Sequence, residues 1–264
     1  LLAGLGHHLL DPARMDAAYA TGARLHVMPF GIPVWNANGT TAAGSYNVDA
    51  QDLDKYLVNN LEYMVFVPVG NKGFALLNGR DVATDLFDGE SSANSDPLSV
   101  GLGGTSPLQV SPPSTAKNGV AAGATCSDTF TMFGPFNEEE NVQNYTAKGP
   151  ATAASLRTAP ILVGVGNDRT PTGGGPAPLG IYGVKSTDND QGGNIDAEVS
   201  EQARGTSFGT ASIAAAATIM EDYFHQGFYP TGSRVQGDRV AILSGSAVKA
   251  MLAASATPGT ELSW

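Results

Sequence analysis

Apolar residues gather in four short runs along this chain, at 24–30, 62–69, 118–124 and 160–165, each closing at or near a glycine. Runs of that length, the first two rich in Val, Phe and Met, predict buried strands. Between the first two, residues 49–59 put Leu53, Tyr56 and Leu57 on one helical face and place Asp residues in the first turn, where they complement the helix dipole. Strand, helix, strand at this spacing predicts a βαβ unit, and therefore a parallel sheet covered by helices. Two further helices are predicted near 206–224 and 246–255. The first is apolar almost all round, through Ile213, Ala214, Ala215, Ala216, Ala217, Ile219 and Met220, which predicts an interior position. Segments 88–113 and 170–193 are rich in Gly, Ser, Pro, Asn and Asp and predict long loops of the kind that shape binding sites. With no internal repeat and no linker, residues 1–264 are expected to form a single domain.

Composition narrows the function classes. The chain has 264 residues, 42% hydrophobic and 15% charged, with 33 glycines, the balance of a large core joined by tight turns. A net charge of −11 argues against a nucleic-acid partner, which would need clustered Lys and Arg. No run approaches the roughly 18 apolar residues of a membrane span. The single cysteine, Cys126, cannot form an internal disulfide. Sequons at Asn38 and Asn144 would accept glycans in a eukaryotic secretory route.

The chemistry centres on Gly205-Thr206-Ser207-Phe208-Gly209-Thr210-Ala211. Small residues flanking Ser207 let a substrate backbone approach, and the serine opens a long helix whose positive dipole end would face a developing oxyanion. The plainer alternative is a serine N-cap on a core helix. The segment also satisfies G-x-S-x-G, the nucleophile elbow of the α/β-hydrolases. That fold needs a downstream histidine, and the one present, His225, would stand about 27 Å away on the same helix. The elbow is excluded.

Residues 205–211, followed by a small-residue helix, resemble the serine motif Gly-Thr-Ser-Met-Ala-Thr-Pro of the subtilisin-like serine proteases (subtilases). Other segments agree in order. Val67-Pro68-Val69-Gly70-Asn71 resembles the strand end that supplies the oxyanion-hole asparagine, and Val34-Trp35-Asn36 the Ser-Trp-Gly segment bordering the primary specificity pocket. Ser114-Thr115-Ala116-Lys117-Asn118 with Ala121-Ala122-Gly123-Ala124, Lys148-Gly149-Pro150, Phe228-Tyr229-Pro230-Thr231-Gly232 and residues 247–252 are similar to the larger, alkaline-protease-like branch. The resemblance implies a subtilisin-like three-layer α/β sandwich, with a mostly parallel sheet and a buried central helix starting at the serine. It implies Ser207 as nucleophile, Asn71 as oxyanion donor, Val34, Trp35, Asn36, Val69 and Gly70 as substrate-binding residues, and a protein or peptide substrate met outside the cell.

The Asp-Thr-Gly-like and His-Gly-Thr-His segments of the family are absent from this chain, and none of His7, His8 or His26 sits in such a motif. Without an imidazole Ser207 stays a neutral alcohol, so the chain alone is expected to be inactive. Either the N-terminal portion with these groups lies on sequence outside this chain, or the chain is an inactive subtilase-like module serving as a structural or binding component of an extracellular assembly. Ala211, Gly209 and Gly164-Val165-Gly166 depart from the family pattern and favour the second; Ser207 and Asn71 favour the first. Asp188, Asp190, Asn194 and Asp196 crowd a Gly-containing loop that suits Ca²⁺ or is simply solvated; no organic cofactor is implied.

Overall fold

The computed structural model describes residues 11–31, 43–71, 110–126, 142, 146–152, 154–167, 181–184, 199–203 and 205–256. Four strands, β1 (Leu25–Val27), β2 (Met64–Pro68), β3 (Val120–Cys126) and β4 (Leu162–Asn167), form one parallel sheet in the order β1-β2-β3-β4. Their register pairs Val27 with Phe66, Phe66 with Val120 and Ala122 with Leu162. All five residues of β2 are buried, as a strand covered on both faces requires. A separate antiparallel pair joins β5 (Ile181–Val184) to β6 (Val199–Ala203), the first of them inside a segment expected to be loop.

Alternation along β2 sorts the core into two layers. Val65 and Val67 pack with Met28, Ala50, Leu53 and Leu57 under α2 (Val48–Asn59), while Met64 and Phe66 pack with Val120, Ala122, Ile213, Ala217 and Val248 on the opposite face. Each large side chain so buried contributes about 1.5–3 kcal/mol. The second layer is closed by α3 (Thr206–His225) and α4 (Gly245–Ser255). The result is the expected three-layer α/β arrangement with a βαβ unit at β1-α2-β2. One helix was not anticipated: α1 (Pro12–Ala20) buries only Met15, too narrow a stripe to stand out as a period, although Asp11 caps it by accepting from the Ala13 N–H.

Helix α3 buries Thr206, Gly209, Thr210, Ile213, Ala214 and Ala217 against the sheet. Among the described residues nothing covers its far side, where Ile219 is 72% exposed. No described helix is long and apolar enough to cross a membrane.

Candidate active site

Parallel strands deliver their C-terminal ends to one edge of a sheet, where α/β proteins gather their chemistry. Here the ends of β1, β2 and β4 all meet the start of α3. Gly205 donates its N–H to the Gly166 carbonyl at 3.0 Å, tying the helix start to the end of β4. Beyond β2, Val69 donates to the Ala122 carbonyl, and Gly70 then turns the chain at φ +104°. A Cβ on Gly70 would lie 2.7 Å from Ser111 Oγ, so both conformation and space require glycine. Val69 is fully buried among Val110, Ala121, Ala147, Ala151 and Ala159, which leaves its side chain in the core and the turn itself at the surface.

That turn presents Asn71 to the helix. Asn71 Oδ1 accepts from the Thr206 N–H and from Thr206 Oγ1, both at 2.9 Å. Two donors fix which end of the amide is oxygen, and so leave the Nδ2 hydrogens for another partner. The Asn71 nitrogen lies 3.2 Å from where a Gly205 Cβ would stand, and Gly205 sits at φ +148°. Any side chain at position 205 would crowd the amide.

Ser207 follows in the first turn. It is not the N-cap: Gly205 holds that place without a side-chain bond, and Asn71 supplies the missing acceptor from 135 residues away. Freed from capping, Ser207 Oγ donates instead to the Pro29 carbonyl just past β1, at 2.8 Å. Two histidines lie among the described residues. His225 ends α3, a helix length from Ser207. His26 lies three residues before Pro29, with Nδ1 3.0 Å from the Tyr63 hydroxyl, and burial holds its pKa below the ordinary value.

Ser207 and Asn71 are thus brought to one edge, together with Gly70. Val34, Trp35 and Asn36 lie outside the described residues, as do the sequons at Asn38 and Asn144 and the acidic loop of Asp188, Asp190, Asn194 and Asp196. Among the described residues no cluster of three or more His, Cys, Asp or Glu could hold a metal. Sequence reasoning missed residues 29–31, which follow β1 and supply the carbonyl against Ser207; Phe30 is exposed there and Gly31 packs near the Pro112 carbonyl. The available signal was the end of the strand expected at 24–30.

No family model matches the chain. A serine protease/ABC transporter B family protein, tagB of Dictyostelium discoideum, is 31% identical over 127 residues, 48% of this chain and 6% of that protein. Among solved structures, the prenylagaramide maturation protease PagA is similar over 96% of this chain and 61% of its own, at 16% identity and a TM-score of 0.49. The PatG macrocyclase domain is similar over 95% of this chain and 49% of its own, at 15% identity and a TM-score of 0.48. The chain therefore spans a small part of the curated relative and less than two thirds of either structure.

Proposed function

We propose that this chain carries the serine and oxyanion groups of a subtilisin-like serine endopeptidase domain acting on protein or peptide substrates. The observation that carries the proposal is the double hydrogen bond from Thr206 to Asn71, which ties the Asn71 amide to the residue next to Ser207, at the positive end of α3. The likeness to a protein named as a serine protease over nearly half the chain supports it.

In this mechanism Ser207 Oγ attacks the scissile carbonyl carbon, and the carbonyl electron pair moves onto oxygen. Asn71 Nδ2 donates to that oxyanion, a contribution of about 3–4 kcal/mol in such sites. The Oγ proton passes to an imidazole, oriented by a carboxylate, from sequence outside this chain. Collapse expels the amine with that proton and leaves an acyl-serine, which water then hydrolyses. Pro29 O, which holds the Ser207 hydroxyl in this structure, must yield it to the imidazole first. On the same reading the protein works outside the cell, and Val34, Trp35, Asn36 and Gly70 border the bound peptide; Val69, also expected there, is fully buried with both backbone groups bonded within the fold. The loop at Asp188, Asp190, Asn194 and Asp196 is a Ca²⁺ candidate or a solvated acidic loop.

Labelling of the full native protein with a fluorophosphonate tests this. Covalent labelling that disappears in Ser207→Ala is the expected result. A native protein with Ser207 accessible that takes no label would overturn it in favour of an inactive module in an extracellular assembly.

A further inference from the structure

Three glycines from three elements meet under the first turn of α3. A Cβ on Gly209 would stand deep inside contact distance of the Gly123 carbonyl oxygen and 3.0 Å from that of Gly164. A Cβ on Gly164 would overlap the Gly209 carbonyl and Ser212 Oγ, and would lie 2.8 Å from Ile213 Cγ1. None of these neighbours is the far end of a flexible chain; most are backbone of β3, β4 or α3 itself. At 209 and 164, two places where this chain departs from the subtilase pattern, it has glycine, and the two glycines face each other.

We infer that Gly209 and Gly164 are positioning residues that let the first turn of α3 sit directly on the backbone of β3 and β4, and that this depth holds Thr206 on Asn71 and Ser207 on the end of β1. An added methyl at either place must lift the turn, because packed backbone transmits the displacement rather than absorbing it. The two glycines are then a matched pair that keeps the site together, not independent marks of decay. The inference rests on the protease reading for one of its two readouts only.

The test uses the full native protein with Gly209→Ala, Gly164→Ala and, as control, Gly237→Ala, whose Cβ meets nothing within 4 Å. Hydrogen exchange at the Thr206 amide should accelerate about tenfold or more in the first two variants, with α4 unchanged and the control like the parent. Equal acceleration in α4, or none at Thr206, would overturn the inference. If neither alanine variant folds, the parent decides. A Thr206 amide as protected as that of Ala217 supports the seat, and one fraying tenfold faster refutes it. Fluorophosphonate labelling of Ser207 should fall about 10- to 100-fold in both variants, since a shift near 1 Å costs on the order of 10² in rate. Labelling unchanged from the parent refutes positioning. A parent that takes no label refutes the protease reading, while the exchange measurement still decides the seat.

Discussion

Asn71 Oδ1 takes both hydrogen bonds that Thr206 can donate, one from its backbone N–H and one from its hydroxyl, each 2.9 Å long. One contact therefore does two jobs: it caps a helix that has no local cap, and it orients an amide so that its nitrogen is turned away from Thr206. Capping and orientation separate under mutation. Thr206→Val removes only the hydroxyl bond and should cost about 1 kcal/mol in urea unfolding. Asn71→Ala removes both acceptances from a buried residue and should cost about 1–3 kcal/mol. It should also slow fluorophosphonate labelling by roughly 10²–10³-fold if Asn71 serves the oxyanion. A double-mutant cycle should return a coupling of at least about 0.5 kcal/mol; additive effects would mean the pair is not coupled.

Asp54 carries a second long-range connection. Its buried carboxylate accepts from the backbone N–H groups of Lys117 and Asn118 at 2.8 Å and from the Tyr46 hydroxyl at 2.6 Å, so α2 holds the turn that feeds β3. The same turn has its carbonyls taken by Arg157, at Thr115 and Ala116, and by Lys249, at Lys117 and Gly119. Asp54→Asn turns an acceptor oxygen into a donor facing donors. The expected loss is about 2–4 kcal/mol by urea unfolding. A loss below about 0.5 kcal/mol would show that the turn holds without this carboxylate.

Tyr46 reports on that carboxylate through alkaline pH. Burial, then the hydrogen bond and the negative charge of Asp54, push its pKa up from 10.0 to about 12. The folded state thus keeps the phenol proton where the unfolded chain gives it up. The stability from this group is complete below pH 10 and falls as pH rises from 10 to about 12. Comparing unfolding free energies of parent and Tyr46→Phe across pH 8 to 12 isolates it, because other tyrosines are common to both. The parent should lose stability faster than the variant above pH 10; parallel curves would refute the assignment.

How much of this was legible beforehand follows from what kind of partner each residue has. Strands β1 to β4 and helices α2, α3 and α4 rest on apolar runs and periods that a sequence displays. Ser207 and Asn71 could be singled out as candidates because each stands in a short motif at the end of an element. Pro29 was not, since its role against Ser207 belongs to a carbonyl, which every residue carries. Asp54 looked like one more polar position on α2, because its partners are backbone amides more than 60 residues away. Gly209 and Gly164 were visible as departures from a pattern, but their meaning depends on two backbones touching, which no local signal encodes. Strand β5 hides in a segment whose composition is typical of loops.

His26 links stability to mildly acid pH. It sits on β1 beside the core, its Nδ1 3.0 Å from the hydroxyl of the buried Tyr63 and its ring centroid 6.1 Å from that of Tyr63. Burial disfavours the imidazolium and lowers the folded pKa below 6.5, so in acid the unfolded chain takes the proton first. Stability linked to this residue is therefore complete above pH 6.5 and is lost as pH falls through the folded value. Carboxylates begin to titrate near pH 5, so the window between about 5 and 6.5 belongs mainly to histidine. His26→Asn keeps a polar partner for Tyr63 and does not titrate. Its unfolding free energy should be flatter than the parent's across that window, and the parent's His26 ring signals should titrate below pH 6.5 by NMR. Because Pro29 follows two residues after the end of β1, and its carbonyl accepts from the Ser207 hydroxyl, charging His26 acts on the strand that leads to the candidate nucleophile's partner. Equal slopes in parent and variant would show that His26 is solvated enough to carry its charge within the fold.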